Sequence, residues 1–199
     1  MFMPFAFLLL VLTVPLTGGR LTRLAVLEVR CVGLITLALA LQVMMASVIP
    51  DAPHAVLIGL HAASYALIAW AVWSNRRLPG LLFIAAGGGT NAAVIALNGG
   101  TLPASADALA RAGYAVEAGQ FENSGVVPDA ILPWLGDIMV TPSWLPFRNV
   151  ISIGDLVVLL GAAILLHVTC RTRVATLVAS TGQRSRDDRR PAESAAAFP

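Results

Sequence analysis

Lysine is absent from this chain, and charge of either sign is scarce. Its 199 residues carry 13 arginines and 11 carboxylates, 12% charged in all, against about 25% for an ordinary soluble domain. A chain that is 57% hydrophobic is the opposite of a disordered one, whose signature is low hydrophobicity and high charge. It also lacks the polar side chains to cover a soluble single-core domain of this size. The only cysteines are Cys31 and Cys170, in neither a CxxC nor a Cys/His ligand spacing, which argues against a disulfide framework or a zinc site. Both are expected to be small apolar filler that stays reduced. A net charge of +2 provides no basic field for nucleic acid. HExxH, a P-loop, a GxSxG elbow and a Rossmann fingerprint are all missing. What remains is an integral membrane protein with no legible catalytic motif, cofactor site or metal site.

What is present is apolar sequence in blocks. A helix needs about 20 mainly apolar residues to cross the hydrocarbon core. Segments 4–16, 31–49, 55–73, 81–97 and 150–170 approach that length. The expected fold is all-α: five transmembrane helices in residues 1–170, with a long loop over 98–149 and a disordered cytoplasmic tail over 171–199. The first segment carries no charge before it and is followed, not preceded, by Arg20 and Arg23, so it is expected to be a retained helix rather than a signal peptide.

Arginine placement sets the expected orientation. Eleven of the thirteen lie in the turns after the first and third segments or beyond the fifth; only Arg111 and Arg148 fall in the opposite loops. Those loops instead hold Asp51, Asp107, Glu117, Glu122, Asp129 and Asp137. Five crossings alternate without violation in the bacterial cytoplasmic membrane, N-terminus outside and C-terminus inside. In the long outer loop, 104–112 reads as a short helix that Ser105 can cap. Pro128, Pro133, Pro142 and Pro146, with Trp134, Trp144 and Phe147, predict a segment that forms no long helix and lies along the outer membrane surface.

The polar residues within the apolar blocks fall at helical spacings. His54 and His61 are seven apart, and Ser64 and Tyr65 continue that face. Asn91 and Asn98 are likewise seven apart, and Gly87 and Gly88 sit one turn before Asn91. Two readings stand: small residues and hydrogen-bonding side chains that pack helices together, or a polar pathway lined by His61, Ser64, Tyr65 and Asn91. A metal shared by His54 and His61 is excluded, because seven helical residues separate them by about 10 Å. Gly154 and Gly161 mark a packing face on the fifth segment. Asp155, counted from Val150, lies about 7–8 Å into that segment. An outer polar cluster of Asn98, Gly99, Gly100, Asp137, Arg148 and Asp155 is expected, with Arg148 neutralising a carboxylate. Asp137 and Asp155 then serve as a latch for the loop or as an acid–base pair.

Four pieces of sequence carry a family resemblance: Gly18-Gly19-Arg20-Leu21 with Leu24 and Arg30, and Asn75-Arg76-Arg77-Leu78-Pro79-Gly80; Asn91 with Asn98-Gly99-Gly100-Thr101-Leu102-Pro103; and Leu135-Gly136-Asp137 followed by Ser152-Ile153-Gly154-Asp155. With these, residues 1 to about 170 resemble a family of uncharacterised bacterial multi-pass membrane proteins of actinobacteria and clostridia, classed as a domain of unknown function. The residue before Pro103 is usually Met in that family; here it is Leu102. The resemblance implies the membrane fold and no reaction. The expected function is a non-enzymatic membrane component (a scaffold, partner subunit or small-solute conduit) whose partners are the bilayer and a second copy or another membrane protein. The alternative is a membrane-embedded enzyme working outward with Asp137 and Asp155.

Overall fold

The computed structural model describes residues 2–49, 52–114, 124–145 and 148–177. The tail from 178 onward lies outside them, as do Asp51, Glu117, Glu122, Pro146 and Phe147. The protein is mostly helical. Five apolar helices form where the apolar blocks lie: α1 (Phe2–Leu16), α2 (Val32–Ser47), α3 (His54–Ser74), α4 (Leu81–Leu97) and α6 (Ile153–Thr169). Between α4 and α6 comes a short α5 (Ala106–Ala112). Its Ser105 cap accepts the Ala108 amide at 3.3 Å, as the sequence predicts.

Only one of these helices, over Ala55–Ser74, is long and apolar enough to cross a bilayer by length and composition; the other four are shorter. The fold is also not wholly helical. Four short strands, β1 (Leu102–Pro103), β2 (Ser124–Gly125), β3 (Asp137–Val140) and β4 (Val150–Ser152), build a small sheet in the long connection between α4 and α6. β1 pairs with β2 in parallel and β3 with β4 antiparallel, and an Ala104–Asp137 bridge joins the two pairs. The residues 150–152 expected to begin the last helix are therefore strand. Among its described residues the proline-rich stretch holds no long helix, as expected, but contributes a 3-10 turn (Pro133–Leu135) and β3. Ala104, Ala108, Leu109, Ala112 and Val150 make a compact apolar core between α5 and the sheet.

The helices associate in two groups. α4 lies along α6, with α1 against the other part of α6, while α3 packs on α2 and touches α4 little. The α4–α6 contact is backbone to backbone. A β-carbon on Gly161 would lie 2.6 Å from the Gly80 carbonyl oxygen and 2.7 Å from the Ile84 nitrogen, and Gly87 and Gly154 oppose one another in the same way. Small residues permit this approach, and no side chain fits in its place. Gly88 and Gly89 have open space beside them, so the packing face of α4 runs through Gly87 and not through Gly88. On the α2–α3 side, the buried Asn75 fastens the chain ahead of α2: its Oδ1 accepts the Arg30 amide at 2.7 Å, and its Nδ2 donates to the Arg30 carbonyl at 2.8 Å.

Candidate functional site: the polar junction of α4, α6 and the small sheet

The most connected polar group sits where α6 begins. Ser152 is fully buried and caps the helix: its Oγ accepts the Asp155 amide at 3.0 Å, while Asp155 Oδ2 accepts the Ser152 amide at 3.1 Å. This reciprocal capping box satisfies two amides that the first turn of a helix leaves without partners. Asn91 reaches it from α4. Its Nδ2 donates to Asp155 Oδ1 at 2.9 Å, and its Oδ1 accepts the Ser152 hydroxyl at 3.0 Å. Asp155 thus uses both oxygens as acceptors, and its charge meets the positive end of the α6 dipole.

This arrangement corrects two expectations. Asp155 is at the third position of its helix, not deep within it, because β4 takes the residues before Ile153. Arg148 does not neutralise it. The Arg148 side chain is exposed, its carbonyl accepts the Tyr114 hydroxyl at 2.8 Å, and the salt bridge found among the described residues joins Arg111 to Asp107. The Asn91 side-chain amide and the Ser152 backbone amide compensate the Asp155 carboxylate where an arginine was expected.

The other members of the expected outer cluster fall close by. Asn98 ends α4 and clasps the loop between α4 and α6, donating to the Ile131 carbonyl at 2.9 Å and accepting its amide at 2.8 Å. Gly99 and Gly100 adopt left-handed conformations, φ 68° and 100°, and the Gly100 amide returns to the Ile95 carbonyl at 2.9 Å. That is the Schellman closure of a helix C-terminus, which favours glycine. Asp137 opens β3 opposite Ser152 and is only 6% exposed. Burial pushes its carboxyl up to about 6, the Ser124 hydroxyl pulls the other way, and the negative charge of Asp155 adds to the rise. Its Oδ1 and the Ser124 Oγ nevertheless complete no hydrogen bond of normal geometry.

The expected intramembrane face is not assembled. Asn91 belongs to the Ser152–Asp155 group. His61 stacks on Tyr65 with ring centres 6.0 Å apart, and both are exposed on α3. Ser64 alone is buried, donating to the His61 carbonyl at 2.9 Å and lying 3.5 Å from the Gln42 amide of α2. The His54 side chain lies outside the described ones. No group of three or more His, Cys, Asp and Glu able to hold a metal occurs among the described residues.

Sequence reasoning passed over two features. His167 lies between Thr13 of α1, 3.1 Å from its Nε2, and Thr172, 2.9 Å from its Nδ1. Its spacing to other polar residues within its own helix carries no signal, because both partners come from other segments. A cleft of about 380 Å³ opens beside the sheet, lined by Pro103, Ser105, Val127, Pro133, Trp134 and Ile138 among others. Only the proline and tryptophan content of the loop hinted at a structured surface there.

The pieces of sequence behind the resemblance meet in space. Asn75 holds the Arg30 backbone, Gly136 lies against the Pro103 carbonyl, Asn91 against Ser152 and Asp155, and Asp137 opposite Ser152. A mostly helical protein with a glycine-packed helix pair and a small sheet clasped over one end is the class these contacts define. The chain belongs to the Family of unknown function (DUF5317), which matches residues 26–167; α1 and Gly18–Arg20 precede the match. No curated protein and no solved structure matches the chain significantly.

Proposed function

We propose that the protein is a non-enzymatic, multi-pass component of the bacterial cytoplasmic membrane, with α1, α2, α3, α4 and α6 crossing the bilayer and the α5–sheet unit on the outer face. The carrying observation is that the apolar helices are left uncovered. The 20 residues Ala55–Ser74 span an apolar stretch of which only 11% is buried. A helix of that composition at the core of a water-soluble fold would be enclosed. Large apolar side chains also face outward on the other four helices, among them Leu8 and Leu12, Leu37 and Val43, Leu82 and Phe83, and Leu156 and Leu160. Such continuous apolar surface requires lipid or protein around it.

The 17-residue α4 and α6 are at the lower limit of a spanning helix, and shorter ones are accommodated by thinning of the bilayer or by flanking residues. Exposed Trp70 and Trp73 on α3 lie next to Arg76 and Arg77, and exposed Trp134 and Trp144 lie in the outer loop. Tryptophan favours the headgroup layers. The arginine distribution then puts the N-terminus outside and the tail inside.

Within this reading a scaffold or partner subunit fits better than a conduit. The α4–α6 seam is closed by backbone contact, and the polar residues of α3 do not join Asn91. The alternative, an outward-facing enzyme using Asp137 and Asp155, has in its favour the electrostatic coupling of the two carboxylates. Against it, Asp155 already commits both oxygens to Asn91 and to its own helix cap. Alkaline carbonate extraction of cell membranes tests residence: the protein should stay in the pellet, and release into the supernatant would overturn the proposal.

A further inference from the structure

Strand pairing brings Ser124 and Asp137 to one face of the outer sheet. Ser124 is opposite Leu102, and Asp137 is bridged to Ala104 and paired with Ser152; paired residues share a face, and so do residues two apart on one strand. Both side chains are more than nine-tenths buried, at 4% and 6% exposure. Ser124 Oγ and Asp137 Oδ1 are the buried side-chain polar atoms left without a hydrogen bond among the described residues. Their neighbours Asn91, Asn98, Ser152 and Asp155 all find partners. Orphaned buried oxygens are rare and require compensation.

The charged groups on the surrounding elements do not supply it. On α5, Asp107 and Arg111 are exposed and pair with each other at 2.9 Å. Arg148, ahead of β4, is exposed. On α6, Asp155 repels Asp137 and already occupies the positive end of the helix dipole. A buried carboxylate with a like charge nearby and no ion-pair partner among the described residues is costly. The geometry points to a site for one monovalent cation, with sodium as its probe, held by Asp137 Oδ1 and Ser124 Oγ with Asp155 as the supporting charge. The donor chemistry fits: hydroxyl and carboxylate oxygens are hard ligands, suited to hard ions and not to zinc. The single charge follows from the ligand count. Calcium sites gather six to eight oxygens with several carboxylates, whereas here Asp137 supplies the one carboxylate with a buried, unpartnered oxygen among the described residues. Bound there, the ion would tie β1, β2 and β3 to the entrance of α6.

The test uses the purified full chain at pH 8 and fixed ionic strength, replacing choline chloride stepwise by sodium chloride. Melting temperature should rise saturably with sodium by about 3–8 °C. The rise should vanish in Asp137→Asn, shrink in Ser124→Ala and persist in the exposed control Asp107→Asn. Equal melting temperatures in sodium and choline, or a sodium effect retained by Asp137→Asn, would overturn the site. A larger effect from micromolar calcium would overturn its monovalent character. Should Asp137→Asn fail to fold, radioactive sodium binding to the native chain and to Ser124→Ala decides: one sodium per chain, weakened in the variant, supports the site, and no binding, or binding unchanged in the variant, refutes it.

Discussion

Gly87 on α4 and Gly154 on α6 oppose each other backbone to backbone: a β-carbon on either would run into the other's carbonyl oxygen. The neighbouring Gly88 faces open space. Gly87→Leu should therefore part the two helices and cost about 3 kcal/mol or more. Gly88→Leu should fall within about 0.5 kcal/mol of the native protein. Thermal melting in detergent compares them, and equal losses would remove the seam as the determinant of packing.

Asn91 and Asp155 should behave as one unit. Asn91→Ala strands the Ser152 hydroxyl and an Asp155 oxygen and should cost about 1–3 kcal/mol. Asp155→Ala loses the carboxylate's half of the capping box, the bond from the Ser152 amide, a loss of about 1–3 kcal/mol, as well as the Asn91 bond. The double variant should be less damaged than the sum, with a coupling of about 0.5–3 kcal/mol. Arg148→Ala combined with Asp155→Ala should instead be additive, because the two side chains do not pair. A double-mutant cycle on melting in detergent reads both.

Stability should depend on pH through Asp137. Its folded carboxyl titrates near 6, above the ordinary 3.8, so the folded state takes up the proton more readily than the unfolded one. The resulting stabilisation is fully present below about pH 4 and is lost as pH rises through 6, amounting to at most about 3 kcal/mol. Melting between pH 4 and 8 in sodium-free buffer should show this fall, and Asp137→Asn should flatten it. A native protein gaining stability over that interval would contradict the assignment.

Asn98 should control the outer loop. Asn98→Ala frees both backbone groups of Ile131 and should speed proteolysis within 126–145 several-fold, while leaving the helices intact by circular dichroism. Unchanged cleavage would show that the sheet holds the loop without the clasp.

Topology is readable by thiol labelling. Cys170 is 1% exposed whereas Cys31 is partly exposed, so on the proposed orientation Cys31 is the usable inner reporter, and Cys170 should react only on unfolding. An impermeant maleimide on intact cells should label Ser143→Cys in the outer loop and spare Cys31 until permeabilisation. Labelling of Cys31 from outside would reverse the orientation.

Parts of the site were legible before the fold was known. Ser152 and Asp155, three apart, spell a capping box, and reading them as a helix start would have moved α6 from residue 150 to 153 and removed the need for Arg148. Ser105 was read correctly by that same logic. The strands were not legible, because two to four residues are too few for alternation to register. Nor was the choice between Gly87 and Gly88, adjacent glycines in a uniformly small and apolar stretch.

The sequence by itself determined which residues are helical and roughly where each helix ends. Those outcomes depend on apolar runs, glycine stops and caps acting over three or four residues. Only the tertiary structure decided which helices are neighbours. Helices apolar on every side carry no stripe that names a partner, so the pairing of α4 with α6 comes from glycine backbones that can meet and from Asn91, which finds Ser152 and Asp155 at 61 and 64 residues' distance along the chain.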